Sequence, residues 1–170
     1  MNLTIFNRLM RAKETRRHPP EWKMFMEICD LYLKRKGIKN PVVLEVGPAE
    51  IGSKEENQHE FFEQLFKAKC IDHVSTGETI DILSISGGHY KNVKADFETF
   101  SPYCTGIIAI HDIESCRYKK RKTAESWKLW DELKALVTCG AKEYENFLFL
   151  AIHRKRIRGN QRGIGIIIKQ

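Results

Sequence analysis

The sequence predicts an α/β protein built on a mostly parallel sheet. Three short runs rich in β-branched and aliphatic residues, at 42–47, 80–86 and 105–111, alternate with segments whose apolar residues recur at helical spacing. Such short, almost uniformly apolar runs are typical of strands that are buried on both faces. Glycines or polar residues follow each run. In open α/β sheets, ligands bind at this position, just beyond the carboxyl ends of the strands.

Length and composition indicate one soluble domain over residues 1–170. A chain of 170 residues with 42% hydrophobic and 30% charged residues has room for a substantial core. The sequence contains neither an apolar run near the roughly 18 residues of a membrane helix nor a signal-peptide segment. We therefore expect a cytoplasmic protein with no membrane partner.

The cysteines predict reduced thiols rather than a disulfide framework or a zinc site. The five are widely spaced, without a CxxC pair. We expect most of them to be buried: Cys29, Cys70, Cys104, Cys116 and Cys139.

The first 18 residues are basic and predict either a short helix or a mobile arm. Pro19-Pro20 followed by Glu21 then marks a helix start. Five apolar residues at helical spacing predict the buried side of this helix: Trp22, Phe25, Met26, Cys29 and Leu33.

The run from Val42 to Gly47 is the first predicted strand, and the residues after it suit a tight turn into a helix capped by Ser53. Glycine is needed where a cofactor approaches the backbone. The pattern here is Glu45-x-Gly47-x-Ala49-x-x-Gly52. On its own the pattern is equally compatible with an α/β protein that binds nothing at this turn.

A helix over 56–69 is predicted next, with its buried side formed by Phe61, Phe62, Leu65 and Phe66. A short strand over 70–74 follows. In nucleotide-binding α/β folds an acidic residue at this position commonly holds a ribose hydroxyl, which makes Asp72 a candidate. The alternative is that Asp72 caps a turn.

The runs at 80–86 and 105–111, with a helix over 91–100 between them, read as a strand, a crossover helix and a second strand. His89, His111 and Asp112 fall at or just beyond the strand ends, where their side chains could converge. A histidine can remove a proton from an attacking hydroxyl or amine, and a neighbouring carboxylate would fix its tautomer. The alternative is that His111 and Asp112 satisfy backbone groups at the strand end.

The last third predicts a helix over 124–137 and two strands, over 144–152 and 163–169. We expect the helix to face the sheet through Trp127, Trp130, Leu133, Leu136 and Val137. Two basic runs contain no acidic residue. The first follows the strand at 105–111, and the second lies between the final two strands. They contain Arg117, Lys119, Lys120, Arg121 and Lys122, and Arg154, Lys155, Arg156, Arg158 and Arg162.

Two of these segments carry a family resemblance. ISGGH at 85–89 and HDI at 111–113 resemble the small class I S-adenosylmethionine-dependent methyltransferases, whose fourth strand ends in IDGGH or IDGDH and whose fifth ends in HD. The resemblance spans most of the chain and includes Tyr90, Val93, Asp96, Ser101, Pro102, Trp127, Trp130, Glu132, Leu133, Gly163, Ile164 and Gly165.

This resemblance implies a Rossmann-like three-layer α/β/α sandwich that ends in an antiparallel hairpin and binds S-adenosylmethionine. The implied cofactor-binding residues are Glu45, Gly47, Ala49, Gly52, Asp72, Ser86 and Gly87. The chain departs from the family twice. Too few residues separate Asp72 from Ile80 for the family's third strand and its helix, and Ser86 replaces an aspartate, so we expect no metal.

In the family's topology both basic runs flank the mouth of the cofactor site. That placement predicts an anionic acceptor or nucleic acid, bound by Arg117, Lys119, Lys120, Arg121, Arg154 and Arg156, and the net charge of +7 favours such a partner. The alternative is that both runs are solvated loops.

The sequence therefore predicts a methyltransferase with an unidentified acceptor. One alternative is a catalytically inactive binding module that binds nucleic acid through its basic edge. A homodimer is a further prediction, because a lost edge element leaves a strand to be covered.

Overall fold

A six-stranded sheet forms the middle of the protein. The computed structural model describes residues 1–12, 19–47, 59–114, 124–153 and 163–170. The strands are β1 (Val42–Val46), β2 (Lys69–Ile71), β3 (Ile80–Ile85), β4 (Cys104–His111), β5 (Phe147–Ile152) and β6 (Ile164–Lys169). Their order is β2-β1-β3-β4-β6-β5. The first four are parallel, whereas β6 is antiparallel to both β4 and β5.

In the described residues, five α-helices pack on the two faces of this sheet. They are α1 (Leu3–Ala12), α2 (Pro19–Lys36), α3 (His59–Phe66), α4 (Tyr90–Phe100) and α5 (Ser126–Thr138). Alternate strand residues separate the two hydrophobic cores. Val43 and Ile107 pack with α1, α2 and α3, whereas Leu44 and Ile108 pack with α4 and α5. This arrangement confirms the predicted three-layer sandwich with a C-terminal antiparallel hairpin.

The N-terminal helices belong to the first of these cores. Of the two alternatives for the first 18 residues, the structure has a helix over Leu3–Ala12; residues 13–18 lie outside the described residues. Phe6 and Leu9 of α1 are buried. The predicted stripe of α2 is buried along its whole length, which confirms that interpretation: Trp22, Phe25, Met26, Cys29 and Leu33.

The predicted loss of the third strand and its helix is also confirmed. Residues 72–79, between β2 and β3, contain only turns and bends. As a result β2, which is three residues long, lies at one edge of the sheet. The sequence overestimated two strands: β2 ends at Ile71, and a short 3₁₀ helix, Lys142–Tyr144, precedes β5.

The prediction for the sheet-facing side of α5 is partly wrong. Trp130 and Leu133 are buried as expected, but Leu136 and Val137 are 36% and 37% exposed. The buried stripe of this helix ends at Leu133, and all residues of its last turn are exposed. Periodicity gives the direction in which a side chain points, but it does not give the extent of the surface that the helix covers.

The thiols differ in burial more than the sequence predicted. Cys29 and Cys104 are buried, Cys70 is half-buried and Cys139 is exposed. Cys116 lies outside the described residues.

Candidate functional site

The ends of β1, β3 and β4 meet at one edge of the sheet. Val46 pairs with Ile85, and Ile85 pairs with Ile110. The residues that follow these strands are therefore neighbours. We call them the carboxyl edge, defined by Gly47, Ser86, Gly87 and Asp112.

Gly47 packs directly against Ser86. The backbone N–H of Ser86 donates to the carbonyl of Val46 at 2.7 Å. A Cβ atom on Gly47 would lie only 2.5 Å from Ser86 Cβ, and Gly47 has φ +139°. Both facts require glycine here. Gly47 itself is exposed, whereas Ala49 and Gly52, also predicted to bind cofactor, lie outside the described residues.

Gly87 is in equally close contact with Asp112. A Cβ atom on Gly87 would overlap the Asp112 carboxylate. Asp112 has φ +60°, in the left-handed region that aspartate tolerates better than most residues. The carboxylate of Asp112 thus lies against the backbone that follows β3.

Glu45 and Asp72 lie near one another beside β2. Ile71 pairs with Leu44, so Asp72 begins the loop beside the last residues of β1, where it is exposed. Burial raises the pKa of the Cys70 thiol to about 12, and the carboxylates of Glu63, Glu45 and Asp72 add to this effect. Both predicted cofactor-binding acids are therefore close enough to the Cys70 thiol to raise its pKa electrostatically.

His111 does not converge with His89, and that prediction is wrong. His111 is buried, and its ring lies 5.7 Å from the Trp22 ring and 6.0 Å from the Phe25 ring. Its Nε2 atom is 3.0 Å from the Oγ atom of Ser84, which is also buried. The side chain points into the core beneath α2, because it continues the alternation of Ile107 and Ala109. The only feature of the sequence that marks its partner, Ser84, is that a serine stands within the apolar run at 80–86.

His89 is exposed at the start of α4. Its carbonyl accepts hydrogen bonds from the N–H groups of Asn92 and Val93, at 3.0 and 3.1 Å. The imidazole is therefore displayed at the beginning of the helix, while the backbone of the same residue holds the first turn.

Glu125, which the sequence did not single out, fixes the loop around His89. Its backbone N–H donates to the Gly88 carbonyl at 2.7 Å, and its carboxylate accepts from the Tyr90 N–H at 3.4 Å. The Lys128 ammonium group is the main cause that lowers the pKa of Glu125; the Tyr90 N–H adds to it, and His89 makes a smaller contribution. No residue pattern marks Glu125, because it follows a basic run and precedes an ordinary amphipathic helix.

The segments that flank both basic runs come together at the carboxyl edge. Glu114 Oε1 and His153 Nδ1, which precede the two runs, lie 2.5 Å apart. Gly163, which follows the second run, packs against Glu114, where its Cβ would approach Cγ to 2.9 Å. The predicted acceptor-binding residues themselves lie outside the described residues: Arg117, Lys119, Lys120, Arg121, Arg154 and Arg156.

Within the described ranges, no group of three or more histidine, cysteine, aspartate or glutamate side chains is arranged to hold a metal ion. The same part of the chain contains no helix with the length and apolar character needed to cross a membrane.

Comparison with known proteins gives a fold but no family. No family model matches the chain, and no curated protein matches it. Among solved structures, an O-methyltransferase from Bacillus cereus, in complex with S-adenosylhomocysteine, aligns with a TM-score of 0.50 at 11% identity, covering 98% of this chain and 88% of that chain. This likeness shows that the two chains share the Rossmann-like methyltransferase fold.

Two further structures align less well. An rRNA methylase from Streptococcus thermophilus has a TM-score of 0.42 at 10% identity, covering 77% of this chain and 87% of that chain. A methyltransferase from Pyrococcus furiosus has a TM-score of 0.41 at 16% identity, covering 83% and 81%.

Proposed function

We propose that this protein is an S-adenosylmethionine-dependent methyltransferase whose cofactor lies across the carboxyl edge. One observation carries the proposal. The backbone at Gly47, which has no side chain to cover it, is exposed directly after β1 of a methyltransferase-like sheet. Ligands of open α/β sheets bind at this edge. The Bacillus cereus protein of the same fold was solved with S-adenosylhomocysteine.

The residues present fit this cofactor. The backbone at Gly47 admits close approach, and the exposed carboxylate of Asp72 is free of the core to accept hydrogen bonds from ribose hydroxyls. Ser86 and Gly87 form the adjoining floor beside the Asp112 carboxylate. S-adenosylmethionine supplies an electrophilic methyl group on a sulfonium centre.

His89 is the candidate general base. It is exposed beside the carboxyl edge, whereas His111 is enclosed by the core. Its imidazole would take the proton from an acceptor hydroxyl or amine as that group attacks. Glu125, held by the Tyr90 N–H and Lys128, fixes the first turn of the helix at which His89 lies.

The proposed acceptor is anionic. The described residues Glu114, His153 and Gly163, which flank the two basic runs in sequence, are in contact with one another, and the chain carries a net charge of +7. Cations around a cleft raise the local concentration of an anionic substrate. Nothing on the described residues favours the alternative of an inactive binding module.

Calorimetric titration with S-adenosylmethionine and S-adenosylhomocysteine tests the proposal. We expect micromolar binding to the wild-type chain and a loss of about tenfold in Asp72→Asn, which removes one charge-assisted hydrogen bond. Asp131→Asn, in a surface ion pair with Lys134, is the matched control and should bind normally.

A substitution of Gly47 is the poorer test, because it would disturb the contact with Ser86 whether or not cofactor binds. If neither ligand binds to the folded wild-type chain, the proposed function is wrong.

A further inference from the structure

The polar face of α1 forms one wall of an open cleft. Phe6 and Leu9 bury the opposite face of this helix in the core. The residues that line the cleft follow at spacings of three, one and three, which places them on one helical face: Thr4, Asn7, Arg8 and Arg11. The cleft has a volume of about 610 Å³.

The two arginines in this cleft keep their positive charge available. Arg8 donates to the neutral amide oxygen of Gln64 at 2.7 Å, and the amide nitrogen of Gln64 donates to Glu60 at 2.8 Å. The nearby carboxylate thus positions the amide rather than pairing with the guanidinium group. Among the ion pairs of the described residues, none involves Arg8 or Arg11.

A short series of ring contacts connects α1 to the end of β4. The Phe6 ring lies 6.1 Å from the Phe61 ring, and the Phe61 ring lies 5.8 Å from the Trp22 ring. The Trp22 ring is in turn 5.7 Å from the ring of His111, the last residue of β4. The buried face of α1 therefore belongs to the same core as the aromatic residue that packs on the end of β4.

We propose that Arg8 and Arg11 form a phosphate-binding subsite for a phosphate-bearing methyl acceptor. Guanidinium groups bind phosphate oxygens in a planar, two-pronged geometry that lysine lacks. Asn7 and Thr4 add an amide and a hydroxyl on the same face. That the bound molecule is the methyl acceptor rests on the proposed function, whereas the phosphate site itself does not.

Binding of two probes, measured without any cofactor, tests the subsite. The first is a fluorescent single-stranded oligonucleotide of about 12 nucleotides, within the range that such sites cover. The second is a nucleoside monophosphate. The variant is Arg8→Gln/Arg11→Gln, in which both replacements are compatible with a helix. The matched control is Arg35→Gln/Lys39→Gln, which removes the same charge near the opposite edge of the sheet, where both side chains are exposed.

We expect the α1 variant to bind the oligonucleotide about tenfold more weakly, with a salt dependence shallower by about 1.4 in the logarithmic slope, which corresponds to two lost phosphate contacts. The control should stay within about twofold of wild type. If only the monophosphate shows the arginine-dependent loss, the phosphate comes from a small molecule and the subsite stands.

Equal weakening in both variants would mean that binding depends on overall charge, and that result overturns the subsite. So does unchanged binding in the α1 variant. Circular dichroism confirms that each variant is folded. A failure of S-adenosylmethionine to bind wild type would sink the proposed function without altering these measurements.

Discussion

The Asp112 carboxylate lies against the α-carbon of Gly87, so that the loops after β3 and β4 are in direct contact. Asp112 holds this position with a positive φ of 60°. The contact leaves no space for a methyl group on Gly87. Two loops of the proposed site are therefore packed together before any ligand binds.

Gly87→Ala should destabilise the protein by about 3 kcal/mol, because the added methyl group overlaps a side chain that the turn holds in place. The free energy of unfolding in urea measures this loss. Asp112→Gly in the same chain should restore most of it, since glycine removes the overlapping carboxylate and adopts a positive φ readily.

A matched alanine substitution separates overlap from backbone strain. Gly140 has φ +73°, and a Cβ atom added there would meet no other part of the described chain within 4 Å. Gly140→Ala should therefore cost about 1 kcal/mol from strain alone. If the losses in unfolding free energy of the single variants at 87 and 112 simply add in the double variant, the proposed contact is contradicted.

The two histidines of the strand ends should differ in chemical reactivity. Diethyl pyrocarbonate should modify His89 rapidly in the native protein, because its ring is exposed, whereas His111 should react only after unfolding. Peptide mass spectrometry reports each site separately, and exposed His73 provides an internal reference. Equal rates of modification at His89 and His111 would mean that His111 is accessible to solvent and could belong to an open site.

Two leucines one turn apart on α5 should differ sharply in their contribution to stability. Leu133→Ala removes a buried side chain and should lower the free energy of unfolding by about 3 kcal/mol. Leu136→Ala alters a side chain that is 36% exposed and should stay within about 0.5 kcal/mol of wild type. Similar losses at both positions would show that the last turn packs on the sheet.

Glu132 joins α4 to α5 and should make stability depend on pH. Its carboxylate accepts from Lys94 and from the Tyr90 hydroxyl, and these bonds, Lys94 first, lower its pKa. The stabilisation is therefore present above the unfolded pKa of about 4.3 and is lost as the pH falls through the lower folded value.

Glu132→Gln should consequently cost on the order of 1 kcal/mol at neutral pH, an amount limited by solvent exposure of the pair. The difference from wild type should shrink as urea unfolding is repeated from about pH 5 toward about pH 2. Glu98→Gln, which removes the weaker partner of Lys94 at 3.8 Å, is the control and should have little effect. A pH-independent difference would rule out the ionised pair as its source.

The strands of the parallel sheet could be predicted because both of their faces are buried. Val43 and Leu44 lie in different cores, so neither face tolerates a polar residue and the run is visible in the sequence. The absence of a third strand was equally visible, since the distance from Asp72 to Ile80 limits what can form there.

The errors arose where a distant part of the chain decides the outcome. His111 follows its strand as a site residue would, but Trp22 and Phe25 of α2 enclose it. Glu125 lies at the site because the start of α5 packs against Gly88. No local sequence pattern predicts this contact. These contacts depend on tertiary packing rather than on spacing.

The packing of Gly47 against Ser86 has a consequence for how relatives of this chain will diverge. Because a neighbouring strand end excludes any larger residue, purifying selection for folding alone will keep glycine at that position, even in lineages that lose enzymatic activity. Asp72 and His89 are exposed and contribute little to the core, so they are free to drift once their chemistry is no longer needed. If the proposed function is right, we expect retention of those two side chains, rather than of the glycine, to distinguish active lineages from decayed ones.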